Sequence, residues 1–167
     1  MRLSMPTNSW HLIRRHLLPE PSHNEEAAFL FGRHIDTTES IELIDYQLLS
    51  SEHFVTQDID YLELRDEVRA NLIKKAHDLS ACLIEMHSHP GNLPAAFSLL
   101  DVVGLREIVP QMLWRLRNRP YVALVVADLS FDAFVWHHDA SKPQHLDAID
   151  LENLALAPTN LSFWRWQ

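Results

Sequence analysis

A single cysteine, Cys82, is all that this 167-residue chain contains, so no disulfide can form within it and a disulfide-stapled fold is excluded. That fits a reducing compartment. Long apolar runs are missing too. Residues 11–18 interrupt their leucines with charge and are too short for a signal-peptide core, and nothing approaches the roughly 20 apolar residues of a membrane span. The expectation is a soluble, cytoplasmic protein. Positive charge is also scarce, with 14 Lys and Arg against 23 Asp and Glu and a net charge of −9. Such a chain lacks the basic surface that neutralises phosphates, which excludes general nucleic-acid binding and suits a partner with a basic patch. No repeat, low-complexity segment or linker interrupts the sequence. At 47% hydrophobic it can bury a substantial core, and it reads as one domain over residues 1–167.

The apolar pattern predicts an α/β (α+β) protein, a sheet flanked by helices. Residues 27–33 and 40–49 read as strands, the first apolar and central, the second alternating Ile41 and Leu43 with Glu42, with Thr37, Thr38 and Glu39 at the turn. Over 61–77, Leu64, Val68, Leu72 and Ala76 recur every four residues, which predicts an amphipathic helix packed on the sheet. Residues 81–89 return as a strand, and 98–117 form a helix that Pro110 must kink or divide. Strands at 121–127 and 131–137 follow, joined by a hairpin at Asp128-Leu129-Ser130. Only three glycines occur. Gly32 is expected to end the first strand, Gly91 to let the chain turn sharply, and Gly104 to permit close helix packing. The aromatic run at 161–166 reads as a final strand or tail packed on the core. Alternation there would put Phe163 and Arg165 on one face and Trp164 and Trp166 on the other.

Histidine, by contrast, is plentiful, at eleven residues. The informative stretch is Glu85-Met86-His87-Ser88-His89-Pro90, followed by Ser98-Leu99-Leu100-Asp101. In an extended segment, His87 and His89 point one way and Ser88 the other. A helix starting near Ser98 would carry Asp101 in its first turn, so that His87, His89 and Asp101 could share one divalent ion. Three protein ligands leave a fourth position open, which is the pattern of a catalytic zinc site, although other divalent metals suit the same donors.

Plainer readings exist for each part. Ser98-x-x-Asp101 is also a capping box, two strand histidines can be half-buried without a ligand, and Glu25 alone is an ordinary carboxylate. Their co-occurrence favours a metal site, and capping and ligation by Asp101 are compatible. His137-His138-Asp139 reads as a strand end, His23 as a residue lining the site, and His11, His16, His34, His53, His77 and His145 as surface or cap residues. Cys82 lies five positions from His87, on the opposite face of a strand. It reads as a small buried residue, not a nucleophile.

Taken together the motifs resemble those of the JAB/MPN (JAMM) zinc metalloproteases, in which a distant Glu precedes His-Ser/Thr-His-Pro and Ser-x-x-Asp. The resemblance runs from about Glu25 to about Trp136. The spacing from Glu25 to Gly32 matches Glu25 to the family's catalytic glutamate. The sequence departs from the pattern at Ala28, where the family has Gly, and in one extra residue between His89 and Ser98, assigned to the loop after Gly91. Size, short connections, and stretches such as Arg119-Pro120-Tyr121 and Phe131-Asp132-Ala133 are similar to the prokaryotic JAB group.

This resemblance implies a mixed sheet with helices on either side, like that of cytidine deaminase. It implies one Zn²⁺ held by His87, His89 and Asp101, with Glu25 as general base and the Ser98 hydroxyl stabilising the oxyanion. Glu85 is then a rival base or a partner for an imidazole. The reaction implied is hydrolysis after the C-terminal glycine of a ubiquitin-like protein, as deconjugation or precursor processing. E1-like and E2-like proteins would be the partners, in systems several of which are antiviral. Two alternatives stay open: a hydrolase releasing an amino acid from a sulfur-carrier adduct, and a non-catalytic MPN-type scaffold. Residues 49–58 and 92–97 are expected to contact the substrate tail.

Overall fold

Alternation along the apolar stretch before Gly32 sorts its side chains to two cores. Phe29 and Phe31 enter one buried cluster, while Ala28 and Leu30 enter another on the opposite side. A strand covered on both faces has no polar face to show, so its sequence is almost continuously apolar.

The computed structural model describes residues 1–21 and 24–166. In chain order its elements are β1 (Arg2–Ser4), α1 (Thr7–Leu17), β2 (Ala27–Ile35), β3 (Ser40–Leu48), β4 (Phe54–Gln57), β5 (Leu62–Leu64), α2 (Asp66–Asp78), β6 (Cys82–Ser88), α3 (Leu99–Arg115), β7 (Tyr121–Ala127), β8 (Ser130–Trp136), β9 (Gln144–His145), β10 (Ala148–Leu151) and β11 (Leu154–Leu156). Nine strands form one mixed sheet in the order β11-β10-β1-β3-β2-β6-β7-β8-β9, and β4 and β5 form a separate hairpin. Strand β2 is central, as expected, antiparallel to both β3 and β6, and β6 runs parallel to β7. The expected hairpin joins β7 and β8, with Ala127 opposite Ser130 across a two-residue turn.

Helices cover both faces. On one side α2 contributes Val68, Leu72, Ile73 and Ala76, and α3 contributes Val102, Leu105, Val109, Met112 and Leu113, against Phe29, Phe31, Leu83 and Val125 of the sheet. On the other, α1 buries Trp10, Ile13 and Leu17 against Leu30, Ile84 and Val126, each burial being worth about 1.5–3 kcal/mol. No described helix is long and apolar enough to cross a membrane.

The structure departs from the sequence reading in several places. Helix α1 and strand β1 lie where no element was expected. The helix expected over 61–77 begins only at Asp66, because Leu62 and Leu64 alternate in β5 instead and pair with β4. Pro110 does not divide α3, which runs unbroken through it. Pro110 and Arg106 are both exposed, so the carbonyl deprived of its N–H partner stands where water reaches it. Of the two readings of residues 161–166, the tail packed on the core holds and the strand does not. Phe163–Trp166 is a 3-10 turn, whose near-threefold repeat turns Phe163 and Trp166 together onto the core, while Trp164 stays 67% exposed.

Two glycines also play other parts than expected. Gly32 does not end β2. It sits at a break in register between Phe31 and Gly32, and a Cβ there would lie 2.2 Å from Ile41 Cγ2. Gly104 packs against nothing that a Cβ would meet within 4 Å. Gly91 does turn the chain, at φ +121°.

The two glycines therefore respond oppositely to a methyl group. Gly32→Ala is expected to lose about 1–3 kcal/mol through overpacking, and Gly104→Ala to gain about 0.5–1 kcal/mol as an alanine in a helix interior. Urea denaturation of the two variants checks both signs.

Candidate metal centre

Register brings the site together. Antiparallel pairing sets Ala27 of β2 opposite His87 of β6, so Glu25, two residues before Ala27, faces His89, two residues after His87, just past both strand ends. Glu25 thus precedes β2. The junction is stitched from both segments. The Ser88 N–H donates to the Glu26 carbonyl at 3.0 Å, and the Glu26 N–H donates to Ser88 Oγ at 3.0 Å. From the hairpin, Gln57 Nε2 donates to the Glu25 carbonyl at 2.9 Å, and the Glu25 N–H donates to the Asp58 carbonyl at 2.9 Å.

Asp101 arrives from α3. Ser98 is the N-cap: its Oγ accepts the Asp101 N–H at 3.1 Å, and its own N–H donates to Asp101 Oδ2 at 2.6 Å. This reciprocal cap fixes the carboxylate over the strand ends. His89 Nε2 lies 3.2 Å from Asp101 Oδ2, 3.3 Å from Glu25 Oε1 and 3.2 Å from His87 Nε2. His87 Nε2 lies 3.6 Å from Asp101 Oδ1. Glu25, His87, His89 and Asp101 of the expected set are therefore brought together, and Ser98 joins them through its bonds to Asp101.

Burial and charge act together here. Glu25 is only 4% exposed. Burial raises its carboxyl to about 7, against the pull of His87 and His89. Burial also disfavours the Asp101 anion, but hydrogen bonds and charge from His87 and His89 more than reverse this and hold it well below the usual carboxylate range. Burial works against the His87 imidazolium as well, yet Asp101 beside it leaves the imidazole above its ordinary value.

The donor set fits a divalent cation. Two ligand atoms about 2.0–2.1 Å from a tetrahedral zinc lie about 3.3–3.4 Å apart; His89 Nε2 stands 3.2 Å from His87 Nε2 and 3.3 Å from Glu25 Oε1, close to that edge, while Asp101 approaches His89 through Oδ2 and His87 through Oδ1. Two Nε2 atoms facing each other need a proton or a cation between them. Among the described residues, Glu25, His87 and His89 form a group whose donor atoms all lie within 4.8 Å of one another and could hold a metal ion. Glu25, expected as the base, belongs to that group, and Asp101, expected as a ligand, does not, although it lies 3.2 Å from His89.

No family model matches the sequence, nor does any curated protein. In three dimensions the chain is similar to protein DSY2949 from Desulfitobacterium hafniense, solved in solution, with a TM-score of 0.52 and 15% identity over 92% of this chain and 94% of that one. The likeness is one of fold. A protein from Salinibacter ruber, also solved in solution, is 20% identical over 95% of this chain and 96% of its own, with a TM-score of 0.45.

A cleft of about 540 Å³ runs from Glu25, His87 and Asp101 between the β4–β5 hairpin and α3. Phe29, Phe54, Leu62 and Leu105 contribute its apolar lining, and Gly104 lines it too, which is why that position is open. Of the stretches expected to contact a substrate tail, 49–58 supplies Phe54, and 92–97 supplies nothing. The second half of that loop folds inward instead, with Ala95 and Phe97 fully buried, while Leu93 stays 81% exposed. The hairpin residues Tyr61, Leu62 and Leu64 take its place.

Glu85 lines the cleft but accepts a hydrogen bond from Tyr121 Oη. It lies outside the metal-competent group. Cys82 is buried in the core of the opposite sheet face, as expected, and burial pushes its thiol up to about 12. His23 lies outside the described residues. The sequence reading missed Ser88, whose hydroxyl holds the Glu25 segment, although its place between the two histidines on the opposite face was legible. It also missed Gln57, which no local signal marks.

Loss of these hydrogen bonds is measurable apart from any metal. With chelator present, Ser98→Ala is expected to cost about 0.5–2 kcal/mol through the lost cap. Ser88→Ala should cost about 1–3 kcal/mol by leaving the Glu26 N–H unpaired. Equilibrium denaturation of both variants against the parent chain tests this.

Proposed function

We propose that this chain is a zinc-dependent hydrolase of the JAB/MPN type, acting in the cytoplasm, that cleaves the isopeptide or peptide bond after the C-terminal glycine of a ubiquitin-like protein. One observation carries the reading. Glu25, His87, His89 and Asp101, which match the family's motif in order, come together beside a cleft of mixed polar and apolar lining.

In this reading His87, His89 and Asp101 hold Zn²⁺, and Glu25 stands beside them as base. The bound ion supplies a Lewis acid for the scissile carbonyl and makes a water easier to deprotonate. Glu25 takes the proton of the attacking water and returns it to the leaving amine. The Ser98 hydroxyl accepts from the Asp101 N–H, so its own proton is free to stabilise the developing oxyanion. Cys82, buried on the opposite face of the sheet, offers no nucleophile, in keeping with direct attack by water. The cleft between the hairpin and α3 gives an extended tail a seat. The ubiquitin-like protein and its conjugates are the proposed substrates, and E1-like and E2-like proteins the proposed partners.

The purified full-length chain is expected to hold about one zinc ion, and His87→Ala to lose it. Unchanged metal content in that variant would sink the ligand assignment. Glu25→Gln should keep the metal and slow cleavage of a ubiquitin-like fusion by about 10²–10⁴-fold. Metal loss in Glu25→Gln would instead make Glu25 a ligand. Product mass, with and without chelator, separates cleavage after the terminal glycine from release of one amino acid.

A further inference from the structure

The loop between His89 and Ser98 is held by a distant part of the chain. The Phe97 N–H donates to Ser162 Oγ at 2.6 Å, and the Phe97 carbonyl accepts from Arg165 Nη1. Thr159 Oγ1 donates to the Ala95 carbonyl at 2.7 Å. Ser162 is itself fixed, since its N–H donates to Oδ2 of the buried Asp132 at 2.9 Å. Ala95 and Phe97, both within three residues of the Ser98 cap, thus owe three backbone partners to residues 159–165.

Aromatic rings continue the path. Trp166 packs on Phe134 at 5.6 Å between centroids, Phe134 stacks on Phe97 at 4.8 Å and 16°, and Phe97 meets the His87 ring at 5.8 Å. The same turn grips α3, the helix that carries Asp101, through Arg106 Nη2, which donates to the Trp166 carbonyl at 2.8 Å. Residues 159–166 therefore touch both routes by which ligands reach the site: the loop leading from His89 to the helix cap, and the helix itself.

We infer that Ser162 and Arg165 are positioning residues for the metal centre, fixing Phe97 so that its ring orients the His87 imidazole. The inference rests on reading His87, His89 and Asp101 as metal ligands. Neither residue reaches the reacting atoms. Each acts through the Phe97 backbone, and Phe97 acts through ring contact. An imidazole whose orientation is held by its surroundings binds metal more tightly, because less of its freedom is lost on ligation.

The test uses the full-length chain and Co²⁺ as the probe. Ser162→Ala and Arg165→Met are expected to weaken Co²⁺ binding about 10-fold, to alter the visible absorption of the Co²⁺ form, and to shift the His87 ring resonances in metal-free protein. Arg165→Lys, which keeps a donor for the Phe97 carbonyl, should restore most of the affinity. Ile13→Val, buried on the opposite face of the sheet, should lower stability without moving affinity, spectrum or resonances. If Ser162→Ala and Arg165→Met match the parent in all three readouts, or if Ile13→Val weakens binding as much as they do, the inference falls while the metal reading stands. A parent chain that takes up no Co²⁺ overturns the metal reading and this inference with it.

Discussion

The pairing of β2 with β6 is the interaction on which the candidate site depends. Side chains on a strand change face at every residue, so a slip of one position would turn His87 away from α2 and α3 and Ser88 toward them. The register that sets Ala27 against His87 is specified by features with no chemistry of their own. Both strands are buried on both faces, and each face must receive its own set of side chains. The irregularity at Gly32 lets Ile41 lie where a side chain would otherwise stand. Ser88 spends its hydroxyl on the chain opposite. The placement of Glu25 against His89 follows from these contacts.

Local pattern carried most of what could be read in advance. The two-residue period puts His87 and His89 together, and the Ser98–Asp101 cap marks the start of α3 because capping is a matter of four consecutive residues. Helix α1 was legible but unread: Trp10, Ile13 and Leu17 mark one helical face in a stretch weighed only as a possible leader. The β4–β5 hairpin was not legible. Leu62 and Leu64 fit a strand, while Leu64, Val68 and Leu72 fit a helix, and only pairing with β4 decides between them. The short β9, β10 and β11 are likewise defined by their neighbours. So is the inward fold of residues 95–97, which hangs on partners as far along the chain as Thr159, Ser162 and Arg165.

Asp101 shows how one side chain serves two ends. A carboxylate in a half-closed site is costly unless its oxygens are bonded, and the first turn of a helix supplies both a donor and a favourable field. The Ser98 N–H occupies one side of Oδ2, and His89 stands on the other. The cap and the ligand face are therefore not rivals for the residue. The helix end holds a negative charge over two imidazoles that lie on the strand side of the cleft.

Glu25 is held differently, and the difference bears on which carboxylate suits which task. Its backbone is fixed on both sides, by Gln57 and Asp58, yet among the described residues its side chain has no backbone donor, only His89 at 3.3 Å. Asp101 is bonded to the backbone of its own cap, so protonating it would weaken a charge-assisted hydrogen bond at the helix end. Protonating Glu25 breaks nothing but its contact with His89. A group that must stay charged is best placed where its charge is structural, and a group that must take up and release a proton where the fold does not depend on which state it is in. That criterion supports the proposed roles, with Asp101 as ligand and Glu25 as base.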